Sequence, residues 1–226
     1  MLSEPLFAGL GIAASAIATM QVLLIWSRPE IARWRGLACA IQATRWRWSW
    51  ALIIGLLGVA AALGLSNPID APLVMSGPVV FGAWLGTLGA LSRIDLLVRL
   101  LPDRICLTLL LAGIAAALMG VGPTPLESLF GILVGLFFPL AIASQTGNRS
   151  IGRGDLLLLA GIGAWLGPLA VLGVLALGAV ATLFVWHVGC TLHQGPGADF
   201  LPLGPGLCLG ALSLSIGAIE LGTLGT

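Results

Sequence analysis

The sequence predicts an all-α polytopic membrane protein with about eight transmembrane helices, each needing about 20 apolar residues to cross a bilayer core. Three observations predict it. Of 226 residues, 58% are hydrophobic and 8% charged, where an ordinary soluble domain carries about 25% charged residues. Apolar runs of spanning length recur, separated by short segments holding Gly, Pro, Asn or Arg. All ten basic residues are Arg, and they gather in a few of those segments. The formal net charge of +1 excludes a broad basic surface for nucleic acid.

The first span is residues 5–26. It lacks a positive leading region, carries Glu4 and is long enough to cross, so it reads as a span rather than a cleavable signal peptide. Residues 27–47 follow and hold Arg28, Arg33, Arg35, Arg45 and Arg47. Short basic loops stay cytoplasmic, which puts the N-terminus outside. Trp34, Trp46, Trp48 and Trp50 fit an interfacial aromatic belt, and residues 36–44 suit a short helix on the surface. The second span is residues 49–65, with an outward turn at Asn67-Pro68-Ile69-Asp70.

The third span, residues 73–92, returns to the cytoplasm and delivers Arg93 and Asp95. Pro102 suits the first turn of the fourth span, which runs to Val121. Gly122-Pro123-Thr124-Pro125 is the next outward turn, and residues 126–146 come back in. The loop at 147–154 holds Arg149 and Arg153. From Asp155 the chain stays apolar to Cys190, and one helix of that length would measure roughly 54 Å. Gly167-Pro168 is the natural break. It leaves a sixth helix at 155–166 of about 18 Å, too short to cross comfortably and so expected to be buried among the others. The seventh is residues 168–190, the polar segment 191–200 returns inside, and the eighth is residues 204–221. The chain thus divides into two N-terminal spans with a basic cytoplasmic loop (1–72) and a six-helix core (73–226).

Two carboxylates stand out. Asp95 ends the third span and Asp155 begins the sixth, so parity places both on the cytoplasmic side. An ionisable residue at a membrane span is a functional hypothesis in itself. Taken alone, Asp155 reads as well as a cap for the helix it precedes. Gly152 and Gly154 let the backbone around it approach closely. Asp103, in Leu101-Pro102-Asp103, fits the positive end of a helix dipole, with a supporting role at the site as the other reading. Arg153 either pairs with Asp155 or anchors its loop. His187 and His193 lack the i, i+4 spacing of a helical metal pair. Cys39, Cys106, Cys190 and Cys208 show no C-x-x-C spacing, so no metal site is expected.

Together these stretches resemble the type IV prepilin peptidases, polytopic aspartic proteases of the inner membrane. The residues that carry the resemblance are Asp95, Leu101-Pro102-Asp103, Leu107-Thr108, Gly152-Arg153-Gly154-Asp155 and Gly163-Ala164-Trp165-Leu166-Gly167. Leu201-Pro202-Leu203-Gly204-Pro205-Gly206 is similar to a Pro-Phe-Gly-Pro element before the family's last span. The resemblance covers roughly residues 73–222. It implies an endopeptidase that removes a short basic leader from prepilins or pseudopilins at the cytoplasmic face of a bacterial inner membrane, with Asp95 and Asp155 catalytic and Asp103, Gly152 and Gly154 in support. No cofactor, metal or nucleic acid is called for; the partners are the leader peptide and the bilayer. Two departures are visible. The family usually has Lys two residues after the second catalytic Asp, where this chain has Leu157. Larger members carry two C-x-x-C pairs in a cytoplasmic domain linked to N-methylation; the corresponding loop here holds only Cys39, implying a peptidase without that module. A proton- or cation-coupled transporter and a catalytically lapsed assembly factor are the competing readings.

Overall fold

A computed structural model of the protein describes residues 3–36, 39–41, 78–145, 152–193 and 203–221, whose regular structure is entirely helical. The principal helices are α1 (Ser3–Trp26), α2 (Arg28–Arg35), α3 (Pro78–Val98), α4 (Asp103–Leu118), α5 (Pro125–Gln145), α6 (Arg153–Leu166), α7 (Pro168–His193) and α8 (Leu203–Leu221). The expected second span at 49–65, the turn at 67–70, Trp46, Trp48, Trp50, Arg45, Arg47 and Arg149 lie outside the described residues.

The short helix α6 is the axis of the packing. Every residue from Leu158 through Trp165 is buried, because α4, α5, α7 and α8 all pack against it. At 14 residues it is about 21 Å long, as the Gly-Pro break requires. Gly167 (φ 82) takes the left-handed turn that ends it, and Pro168 opens α7. Small residues set the close crossings. A methyl group on Gly163 of α6 would collide with the Gly131 carbonyl of α5, and one on Gly131 with the Gly163 carbonyl. This is the backbone-to-backbone approach that membrane helices use in place of a hydrophobic driving force. Trp165 closes the end of α6 by donating its Nε1–H to the Leu109 carbonyl at 2.9 Å. Its ring lies 5.4 Å from that of Trp84.

The outer face of α5 is apolar. α5 buries Ser128, Gly131, Gly135 and Pro139 on one face and exposes Leu126, Phe130, Leu133, Phe137 and Phe138 on the other. A large-residue face turned outward and a small-residue face turned inward suit hydrocarbon as the surrounding solvent. Among the described residues, α3 and α5 are long and apolar enough to cross a membrane, with α1 and α2 forming a third candidate if the pair, bent by 43°, counts as one span.

Three expectations change. Residues 28–35 form a helix where a loop was expected. Pro29 near its start, Glu30 in its first turn and Arg33 and Arg35 in its last satisfy the helix dipole at both ends. Gly36 (φ 87) ends it, and residues 39–41, inside the expected surface helix, are helical. The third span does not stop at Ser92: α3 continues to Val98, with Arg93 and Asp95 buried inside it. Pro102 caps α4 in an extended conformation rather than occupying its first turn, and its carbonyl accepts from the amides of Ile105 and Cys106.

Candidate active site

The ends of α2, α3, α4 and α6 meet around a cavity of about 440 Å³ lined by Asp95, Asp103, Gly152, Gly154, Asp155, Glu30 and others. All five site residues expected from sequence therefore border one space. Asp95, in the last turn of α3, is 6% exposed. The chain leaves that helix at Arg99, whose amide donates to the Asp95 carbonyl at 2.8 Å. Arg99 has φ 53, an uncommon conformation for a residue with a side chain. The turn folds Leu100, Leu101 and Asp103 back over the cavity.

Asp155 arrives from the opposite direction, in the first turn of α6. Gly152 is the N-cap of this helix and offers no side chain to cap it. Its backbone N–H donates to the Asp155 carboxylate, the reach-back half of a capping box. The capping reading of Asp155 is therefore true as far as it goes, and the same carboxyl also faces Asp95 electrostatically. Gly154 has a packing reason: a methyl group there would sit 2.6 Å from Leu101 Cβ, so only glycine lets the α3–α4 turn close onto α6.

Asp103 begins α4 and lies 3.6 Å from Arg153 Nε, with both side chains substantially exposed. Arg153 thus pairs with Asp103 across the loops rather than with Asp155. The Asp103 amide donates to Glu30 Oε1 at 3.0 Å, so an acid from α2 caps α4. Glu30 Oε2 is buried and has no hydrogen-bond partner among the described residues. Trp34, on the same helix, forms part of the rim and is 67% exposed. A further contact reaches Asp95 from the far end of the sequence: the Gly204 N–H, in the first turn of α8, donates to Asp95 Oδ2 at 3.1 Å. Leu157, at the position where the resemblance expects Lys, packs against the hydrophobic core.

A match to the type IV leader peptidase family covers residues 80–187, which include Asp95, Asp103 and Asp155. The chain belongs to the type IV leader peptidase family. Its similarity to individual members is moderate. It is 36% identical over 155 residues to a prepilin leader peptidase/N-methyltransferase of Burkholderia pseudomallei, covering 67% of this chain and 48% of that protein. It is 33% identical over 172 residues to the enzyme of that name from Dichelobacter nodosus, covering 74% and 58%. It is 31% identical over 140 residues to a type 4 prepilin-like proteins leader peptide-processing enzyme of Escherichia coli, covering 60% and 49%. The chain spans about half the length of the curated relatives it matches. No solved structure matches it significantly.

Sequence reasoning missed Glu30, Trp34, Arg99 and Gly204 as neighbours of the site. Glu30 carried a readable signal as a first-turn acid, and Gly204 lay in a quoted motif. Their contacts to Asp103 and Asp95 join distant parts of the chain, which no local pattern reports.

Asp95 and Asp155 line one open cavity. Carboxyl groups brought close enough together cannot both ionise easily and share a proton. At any moment one can accept a proton and the other donate one.

Proposed function

We propose that this protein is a membrane aspartic endopeptidase that removes the short basic leader from type IV prepilins or pseudopilins. It acts at the cytoplasmic face of the bacterial inner membrane. The chain crosses the bilayer with about eight helices, two in residues 1–72 and six in residues 73–226. The observation that carries the reading is the shared cavity: Asp95 and Asp155, from helices far apart in sequence, line the same space in a member of a leader peptidase family.

In the proposed reaction the ionised carboxylate takes a proton from water, and the water oxygen bonds to the scissile carbonyl carbon. The protonated partner gives its proton to the carbonyl oxygen, forming a neutral gem-diol. On collapse the C–N bond breaks and the amine leaves with the proton taken from water. A diol hydroxyl returns its proton to the emptied partner. One water is consumed and the dyad ends as it began. Asp103, Gly152 and Gly154 support the site: the first through its pair with Arg153, the others by letting the loops close.

The test is co-expression with a candidate prepilin, followed by a gel assay for leader removal. Loss of the leader with this chain present, and its retention with empty vector, is the expected result. Retention in both, across several prepilins, overturns the proposal.

A further inference from the structure

Residues 201–206 resemble a family element to which the reaction above gives no task. We infer that Gly204 is a positioning residue of the dyad: its N–H holds Asp95 Oδ2, and its missing side chain makes the space that Asp95 occupies. This rests on the aspartic peptidase reading for its catalytic meaning, while the contact itself stands on geometry.

Gly204 belongs to the first turn of α8, where backbone N–H groups have no partner within the helix. Pro205 has no N–H to offer, so the donors at this end are few. One of them meets Asp95 Oδ2 at 3.1 Å in a buried setting. The fit leaves no room for more. A methyl group on Gly204 would stand 2.7 Å from Oδ2, 3.1 Å from Cγ and 3.2 Å from Cβ of Asp95, and a neighbour buried inside α3 cannot yield easily.

The amide is delivered to a fixed place. α8 is held against α7, where Gly206 would collide with Thr182 and the Gly178 carbonyl if it gained a methyl. Further along, α8 is tied to α3 by Trp84 Nε1–H donating to Ser215 Oγ at 3.2 Å. An amide only donates, so the lone pair it occupies is closed to the dyad's proton. Among the described residues Gly204 is the only donor to the Asp95 carboxyl. It takes Oδ2 and leaves Oδ1 for water and for the proton shared with Asp155.

The test has two arms, both on the full chain. In membranes, leader cleavage is measured against pH for wild type, Gly204→Ala and Gly210→Ala. Gly210 lies in the same helix as Gly204, and its added methyl meets the Val174 carbonyl of α7 at 2.8 Å without touching Asp95. Gly204→Ala should lose about ten- to a hundredfold in kcat, the effect of one misplaced hydrogen bond to a charged group, with KM within about twofold. Its pH profile should be displaced, while that of Gly210→Ala should match wild type. An undisplaced profile in Gly204→Ala, or the same displacement in Gly210→Ala, overturns the inference.

The second arm reads the bond without activity. Between Pro202 and Pro205 only Leu203 and Gly204 carry an amide hydrogen, so exchange in that segment reports on these two. One should be protected in wild type and in Asp95→Asn, whose amide oxygen still accepts, and released in Asp95→Ala. No protection in wild type, or none lost in Asp95→Ala, overturns it. If wild type cleaves no prepilin, the peptidase reading falls and this arm alone decides the placement of Gly204.

Discussion

Replacing each aspartate by asparagine separates the dyad from its surroundings. Asn has nearly the shape of Asp. At position 95 its carbonyl oxygen can still accept the Gly204 N–H that Oδ2 accepts at 3.1 Å, so Asp95→Asn should insert and fold. What it loses is the ability to exchange a proton with water. General acid–base groups contribute about 10²- to 10⁴-fold each, and members of one unit do not add. Asp95→Asn, Asp155→Asn and the double variant should therefore each fall by at least about 10²-fold, the double little below the singles. Asp103 differs. Its side chain makes a 3.6 Å pair with Arg153, exposed 45% and 83% respectively, and such a pair contributes about 0–1 kcal/mol. Its other contact, to Glu30, uses the backbone amide and survives substitution. Asp103→Asn should keep activity within about fivefold of wild type, the equivalent of about 1 kcal/mol. The assay is leader removal on a gel, normalised to protein in the membrane. An active Asp95→Asn beside an inactive Asp103→Asn would refute the reasoning and move the dyad to Asp103 and Asp155.

Other outcomes follow from single contacts. Gly163→Ala forces the Gly131 carbonyl away and should destabilise the detergent-solubilised protein by about 1–3 kcal/mol, read as a lower Tm; an unchanged Tm would mean that α5 and α6 do not cross there. Trp165→Phe removes the 2.9 Å bond to the Leu109 carbonyl and should cost about 0.5–1.5 kcal/mol in the same assay, whereas a Tm at or above that of wild type would deny that bond any weight.

The helices were legible in the sequence wherever apolar length and a breaker coincided. Gly167-Pro168 marks the end of α6 within a residue, and the run after Asp155 announces a helix too short to cross by itself, whose Ala160, Gly161, Gly163 and Ala164 let neighbouring helices pack closely around it. The end of α3 was not legible in the same way. Arg93 and Asp95 look like the exit from an apolar helix, yet the surrounding helices bury both, and the turn is set at Arg99 by a backbone conformation that no composition rule assigns to arginine. Asp95, Asp103 and Asp155 could be nominated because carboxylates are conspicuous among apolar residues. Glu30 and Gly204 could not be tied to them, because a cap supplied by another helix and a space kept free of a methyl group exist only after the chain has folded. The second span and the loop preceding Gly152 fall outside the described residues, so their expected places carry no comparison.

The bend between α1 and α2 has a consequence for how such a protein diversifies. It carries Glu30 and Trp34 to the rim of the cavity, yet both precede residues 80–187, the stretch that matches the family, and Gly204 follows it. Asp95 and Asp155 and part of the rim around them thus come from separate pieces of chain. Substitution within the eight residues of α2 reshapes the opening while leaving Asp95 and Asp155 untouched, so under the peptidase reading leader preference and cleavage can change separately.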